Sequence, residues 1–370
     1  MNGVSGVANA SAIDAKNKLS SNFFKKGIVI ALLSGLMYGL YSAFMTLGMS
    51  KGVWAEWYGA DSALSVFAIT YLLGALGSAV NDTTSAGWAL LNVGYKRKLG
   101  DFFRTLNTKP GRVMILAALI GGPVSSTAYV VGLQMAGSIV IPITALCPAI
   151  GAILGRALFK QALTVRMMLG IAICVLASFL IGSTSIGGDA PDGMLLGIGI
   201  AFLAAVGWGF EGAVAGYGTS MIDYEIGITI RQTVSGLANL LILLPLFGLL
   251  AGDVFLSTNL AAEAFTSGSS MIWFAIAGFS AYLSYMFWYR GNSMCGTALG
   301  MAANGTYSFW GPFACWIILG VFGGMEGWAM PPVAWIAAVM MMVGILTIAM
   351  NPLDLFKRKG QGPTDSKLAV

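Results

Sequence analysis

The chain predicts an all-α integral membrane protein of ten transmembrane helices, arranged as two inverted five-helix repeats. Three observations carry this. Of 370 residues, 57% are apolar and 9% charged, and the mean hydropathy is +0.80. Ten apolar runs approach the ~20 residues that cross a bilayer as a helix. The runs fall into two sets of five, and an odd number per set makes the second enter the membrane in the opposite sense to the first.

The spans are predicted at 27–49, 63–83, 113–134, 137–158, 165–183, 193–217, 226–250, 270–289, 295–322 and 331–350. They give a cytoplasmic N-terminal tail over 1–26, repeats over 27–183 and 193–350, and a cytoplasmic C-terminal tail over 351–370. The first tail is polar, without a cleavable signal pattern, and the first apolar run is long enough to be a span itself. The second tail is expected to be disordered beyond Lys357.

Lys and Arg fix the orientation. On one side fall Lys16, Lys18, Lys25 and Lys26 of the first tail, Lys96, Arg97, Lys98, Arg104, Lys109 and Arg112 after span two, Arg156, Lys160 and Arg166 after span four, Arg290 after span eight, and the C-terminal Lys357, Arg358, Lys359 and Lys367. The other side has only Lys51 among several acids. The positive-inside rule therefore places both chain ends in the cytoplasm.

After span two, the cluster Asn81-Asp82-Thr83-Thr84-Ser85 predicts a helix stop and a new N-cap. Asp82 is expected to be that cap rather than a midplane ligand. Residues 86–105, with Trp88, Tyr95, Phe102 and Phe103 beside the Lys96–Lys98 run, predict a helix lying in the cytoplasmic interface. Polar breaks are expected at Ser183–Gly193 and at 252–269.

The internal repeat is visible in spans one and six. GIVIALLSGLMYGLYSAF from Gly27 and GIGIAFLAAVGWGFEGAV from Gly197 share seven of 18 positions without a gap, with Tyr38 opposite Trp208 and Tyr41 opposite Glu211. Spans four and nine carry Pro148 and Pro312 midway, in the same order within each half. A proline inside a span removes a backbone hydrogen bond and predicts a kink, tolerated in a bilayer where neighbours or a wet cavity satisfy the freed carbonyl.

On these residues the chain resembles the drug/metabolite transporter superfamily in its ten-helix form with two EamA-like halves. The resemblance rests on the glycine-spaced run Gly27 to Gly39, its partner in span six, the segment from Ala128 through Pro148 to Gly170, and the stretch from Asn304 through Pro312 to Glu326. It covers most of 27–350. The span-one pattern also resembles, more distantly, proton-coupled sugar permeases of the same superfamily. The acidic residue usual after span four is missing, with Lys160-Gln161 in its place, whereas Glu326 keeps it in the second half.

Composition narrows the chemistry. The chain has no histidine, which removes His-based acid–base work, metal ligation and proton relays. Cys147, Cys174, Cys295 and Cys315 lie inside apolar runs with no CxxC spacing, as small core residues rather than a disulfide or metal site. No cofactor, metal or nucleic-acid partner is expected, and no Walker-type phosphate loop is present. A membrane enzyme would need a nucleophile–base pair that the sequence does not offer.

Charges inside spans cost ~2.5–3.5 kcal/mol on insertion scales and face a cavity or a partner. Glu211 and Arg231 each fall ~8 Å from the cytoplasmic end, at ~1.5 Å rise per residue. Two readings stay open: Glu211 binds a substrate cation or a proton while Arg231 gates it, or the two form a static ion pair fixing a hairpin. Trp288, Tyr289 and Arg290 are expected to form an interfacial belt. Tyr38, Tyr41, Trp208 and Tyr307 are mid-span, and their polar tips need partners in hydrocarbon. With Asn304 and Glu211 they predict a pocket for a small amphipathic, cationic or hydroxylated solute; Tyr129 and Thr144 join them. The superfamily resemblance implies a central cavity lined by the same spans.

The expected function is therefore secondary active transport of a small organic metabolite across the cytoplasmic (inner) membrane by alternating access. Protons or another ion would couple it, and the protein would act as a monomer or homodimer. The alternatives are a proton-coupled sugar-type uptake permease and, from another class, a non-transporting membrane scaffold or receptor.

Overall fold

In hydrocarbon, backbone N–H and C=O groups must pair within their own segment, which leaves helices as the means of folding so apolar a chain. The computed structural model describes residues 3–159, 164–183, 193–219, 221–295 and 297–349, and these contain helices and no strand. The Lys160-Gln161 departure, the C-terminal tail and most of the Ser183–Gly193 break lie outside the described residues.

In chain order the helices are α1 Gly3–Gly48, α2 Val53–Trp57, α3 Leu73–Tyr95, α4 Leu99–Leu106, α5 Lys109–Leu119, α6 Thr127–Ala136, α7 Val140–Thr144, α8 Cys147–Phe159 and α9 Val165–Ser183. There follow α10 Met194–Thr219, α11 Tyr224–Ala238, α12 Leu244–Leu250, α13 Val254–Thr266, α14 Gly268–Cys295, α15 Thr297–Asn304, α16 Tyr307–Cys315 and α17 Pro332–Ala349. Wide π-helical turns at Ala68–Leu72, Ile120–Ser126, Asn239–Leu243 and Trp316–Phe322 run into or on from their neighbours without a loop. Local chemistry sets several starts. Thr108 caps α5 by accepting the Gly111 N–H at 3.2 Å, with Pro110 in the first turn. Asp223 caps α11 by accepting the Glu225 N–H at 2.8 Å.

Among the described residues, six helical stretches are long and apolar enough to cross a membrane: Asn22–Gly48, Lys109–Thr144, Met194–Ala215, Tyr224–Leu250, Gly268–Cys295 and Leu299–Phe322. Val165–Ile181 and Pro332–Ile348 are shorter apolar helices. The outer surface is apolar as well: Phe179, Leu241 and Phe322 are each at least 70% exposed, a distribution suited to lipid.

α1 is continuous from Gly3 through the predicted first tail into span one. The structure corrects several other expectations. The helix does not stop at Asn81–Ser85. α3 runs through that cluster to Tyr95, and the turn comes at Lys96–Lys98, where Arg97 takes a positive φ of 57°. The expected interfacial helix 86–105 is therefore two pieces, the end of α3 and the short α4. The polar stretch 252–269 holds α13. Spans four and nine do break, but before their prolines: at Ala145-Leu146, with Pro148 in the first turn of α8, and at Gly305-Thr306, with Pro312 inside α16. In a first turn proline loses no helical hydrogen bond, so Pro148 starts a helix rather than kinking one.

α1 packs along α14 and against α15 and α16, while α10 packs along α6 and against α7 and α8. α3 lies on α11 and α14, and α9 pairs with α17. The buried residues at these contacts place two polar-rich clusters side by side in the bundle.

Candidate functional site

The first cluster is aromatic. Tyr38 of α1 stacks on Tyr307 of α16, with ring centres 4.1 Å apart and planes at 22°. Tyr41 and Trp208 meet Tyr38 edge-on at 5.3 and 6.0 Å, and Tyr129 lies 5.4 Å from Trp208. Such edge and offset contacts follow the ring quadrupoles. Most of the polar tips find partners. Tyr129 Oη and Ser42 Oγ share a hydrogen bond of 2.5 Å, Trp208 Nε1 donates to the Gly121 carbonyl at 3.1 Å, and Asn304 Nδ2 donates to Ser34 Oγ at 2.8 Å.

A cavity of about 20 Å³ opens beside this cluster, room for about one water. Four of the expected residues line it: Tyr38, Trp208, Asn304 and Tyr307. Tyr41 and Tyr129 stand behind that wall. Thr144 is buried, bonds back to the Ile141 carbonyl at 2.9 Å and meets the Tyr307 side chain from behind the lining. The other walls are Cys147, Ser284, Tyr285, Trp288 and Met301. Trp288 and Tyr289 are thus not an interfacial belt: they are 8% and 0% exposed, inside the bundle. Tyr38 Oη and Trp288 Nε1 are buried without a hydrogen-bond partner among the described residues. Orphaned groups beside a void are where a bound solute would be held.

The second cluster is ionic, and it answers the question of Glu211 and Arg231. They pair: Arg231 Nε donates to Glu211 Oε1 at 2.9 Å and Nη2 to Oε2 at 3.4 Å, with both side chains 0% exposed. Arg231 also donates to Gln232 Oε1 at 2.7 Å, and its guanidinium lies 4.1 Å over the Tyr285 ring. Gln232 Nε2 continues to Ser85 Oγ at 2.5 Å. The Glu211 carboxylate rests on Gly121 in the π-helical turn, where a Cβ would collide with it. Glu211 does not line the cavity. Tyr285 does, and the Arg231 guanidinium packs on its ring, so one ring touches both the cavity and the ionic cluster.

Asp82 belongs to this second cluster and is no N-cap. It sits mid-helix in α3, 2% exposed, and its Oδ2 accepts from Ser235 Oγ and from Asn239 Nδ2, the latter at 3.0 Å. Sequence reasoning missed this network, although its signal was present. Ser78, Asp82 and Ser85 recur at helical spacing, as do Arg231, Ser235 and Asn239, and two such stripes on apolar helices mark facing sides.

A third group of charges closes one end of the bundle. Lys96 and Lys98 reach Glu225, and Lys98 also reaches Asp223 at 2.9 Å. These hydrogen bonds, to Glu225 first, push the Lys98 ammonium above its ordinary range. Partial burial would raise the Asp223 carboxyl, but Lys98 and the Glu225 N–H outweigh it and hold Asp223 below the usual carboxylate range.

No family model matches the chain, and no curated protein does. One solved structure, described only as the crystal structure of a protein, is similar with a TM-score of 0.50 and 17% identity, over 91% of this chain and 99% of that one. At that identity the likeness shows the fold alone.

Proposed function

We propose that this chain is a secondary active transporter, moving a small organic metabolite across the cytoplasmic membrane by alternating access, and that it belongs to the drug/metabolite transporter superfamily in its ten-helix form. The observation that carries the reading is the cavity. Its walls come from α1, α10, α14 and both broken helices, and it holds buried polar groups with nothing bonded to them. Tyr and Trp faces with an amide and orphaned donors suit an amphipathic, cationic or hydroxylated solute. At about 20 Å³ the cavity is closed around less than a metabolite, so parting of the Tyr38–Tyr307 stack is the opening step.

The helix pairings support an inverted repeat. α1 packs on α14 and α16 as α10 packs on α6 and α8, the first helix of each half lying on corresponding helices of the other half. Gly39 of α1 lies against the Trp310 carbonyl, and its repeat partner Gly209 against that of Cys147. With α3, α9 and α17 added, and with α7 and α8 read together as a crossing separate from α5–α6, the six long apolar stretches make ten crossings in this reading. The contacts of Lys98 with Asp223 and of Arg290 with Tyr224 gather the ends of α3 and α14 and the start of α11 on one face, which fits both chain ends being cytoplasmic.

The test is a thermal-shift screen of purified protein against metabolite and organic-cation libraries, followed by flux of each hit in proteoliposomes. A true ligand raises the apparent stability by mass action. The expected result is a hit whose shift is lost in Asn304→Ala and Tyr307→Ala and which crosses the membrane. Inward, proton-driven uptake of a sugar would assign the permease reading instead. A ligand that binds but never crosses would leave a receptor.

A further inference from the structure

Among the described residues away from the bundle ends, three ionisable acid or base side chains are buried: Asp82, Glu211 and Arg231, at 2%, 0% and 0% exposure. Two are acids and one is a base. Arg231 is committed to Glu211 at 2.9 Å. Among the described residues no Lys or Arg lies within ion-pairing distance of Asp82, whose carboxylate is met by neutral groups, the Ser235 hydroxyl and the amides of Asn239 and Asn81. A bare carboxylate so far from water costs several kcal/mol. Its hydrogen bonds offset part of this and supply no charge. Arg231, Tyr285 of α14 and Tyr41 of α1 are the titratable groups on neighbouring elements that feel its charge directly, with Glu211 beyond Arg231.

The surroundings are built from oxygen. Ser78 Oγ lies 3.5 Å from the Asn239 amide nitrogen, and Ser235 Oγ touches the carboxylate. Asn239 is 1% exposed, and its Oδ1 has no hydrogen-bond partner among the described residues. A half-turn of that amide would present this oxygen to Asp82. Asn239 also opens the π-helical turn Asn239–Leu243, a distortion frequent at functional sites.

We propose that Asp82, with Ser235 and Asn239, is the binding site of a monovalent cation, a proton or a sodium ion. The proposal rests on the transport reading for its role, since the bound cation would be the coupling ion. With the cation bound, Asp82 is neutral and Arg231 stays with Glu211. On its release, the bare carboxylate competes for Arg231, the cation that packs on the cavity wall at Tyr285. No bond is made or broken beyond the carboxyl O–H, whose proton leaves to water.

Two measurements on the purified full-length chain test the site, neither needing a transported substrate: saturable binding of radioactive Na⁺ by scintillation proximity, and the infrared carboxylic-acid band at neutral pH. Asp82→Asn keeps the size and the neutral charge of the occupied site, so it should fold; Asn239→Ala is the second variant. If sodium is the ion, wild type binds it, Asp82→Asn does not, and Asn239→Ala weakens it ~10-fold or more. If the proton is the ion, sodium binding is absent and an acid band disappears in Asp82→Asn. Asp82→Asn indistinguishable from wild type in both measurements overturns the site. Should the site hold while no screened ligand crosses a proteoliposome membrane, the transport reading fails and the cation site stands.

Discussion

The aromatic cavity and the Glu211–Arg231 cluster share one ring, Tyr285, yet they treat their polar groups in opposite ways. Around Arg231 the donors are spent on Glu211 and Gln232, and the pair is fully buried. Around Tyr38 the groups are held mainly by ring contacts, and Tyr38 Oη and Trp288 Nε1 go unbonded beside a void. In this structure the first arrangement is closed on itself, each charge meeting a partner, and the second leaves hydrogen-bonding capacity unmet next to empty space.

The sharpest way to break this contrast is to unpair Glu211 and Arg231. Arg231→Met leaves the buried Glu211 charge without a partner and should cost ~3–5 kcal/mol, read as a large fall in thermal unfolding temperature in detergent. Adding Glu211→Gln to it should restore much of that loss. A single variant as stable as wild type would mean that the pair does not stabilise the fold. Next comes Gly121→Ala, whose methyl group would meet the Glu211 carboxylate. Overpacking of this kind costs ~1–3 kcal/mol and should appear in the same unfolding assay.

On the cavity side the sign reverses. Tyr38→Phe deletes a buried hydroxyl that bonds nothing, so stability should hold or rise by ~1 kcal/mol, while the thermal shift given by any ligand shrinks. Loss of stability here would show that the hydroxyl already has a structural task. The smallest effect belongs to the bundle end. Asp223 is held below its unfolded range, so its stabilisation is complete above ordinary carboxylate pH and is lost as pH falls through its folded value. Because Lys98 and Asp223 are each about a third exposed, screening leaves this at a few tenths of a kcal/mol to ~1 kcal/mol. Asp223→Asn should flatten the acid limb of the stability curve slightly, and added salt should do likewise.

Much of the fold was legible because lipid allows few solutions. Apolar length alone located α1, α10, α11 and α14, and the matching of Tyr38 to Trp208 put two walls of one cavity at corresponding positions. Asp82 was misplaced for a physical reason. A polar run that would end a helix in water, by bonding its own backbone, continues as helix when a facing stripe supplies other partners. Ser235 and Asn239 are that stripe, 153 and 157 residues away in the chain, and no local rule sees them. Pro148 was misread similarly, since the break at Ala145-Leu146 comes before it and its own missing N–H falls where a helix start leaves N–H groups unused.

The four π-helical turns have a mechanical consequence. Each carries one residue more than the helix around it needs. Such an excess can walk along the axis by exchanging one backbone bond at a time, and each residue it passes turns by ~100°, the angle per residue at 3.6 residues per turn, while the helix on either side keeps its place. At Ile120–Ser126 the loosened carbonyls of Ile120 and Gly121 are already taken by the hydroxyls of Ser125 and Ser126 at 3.0 Å. A rod fitted with such a ratchet can rotate the surface it shows its neighbours without ever unwinding into oil.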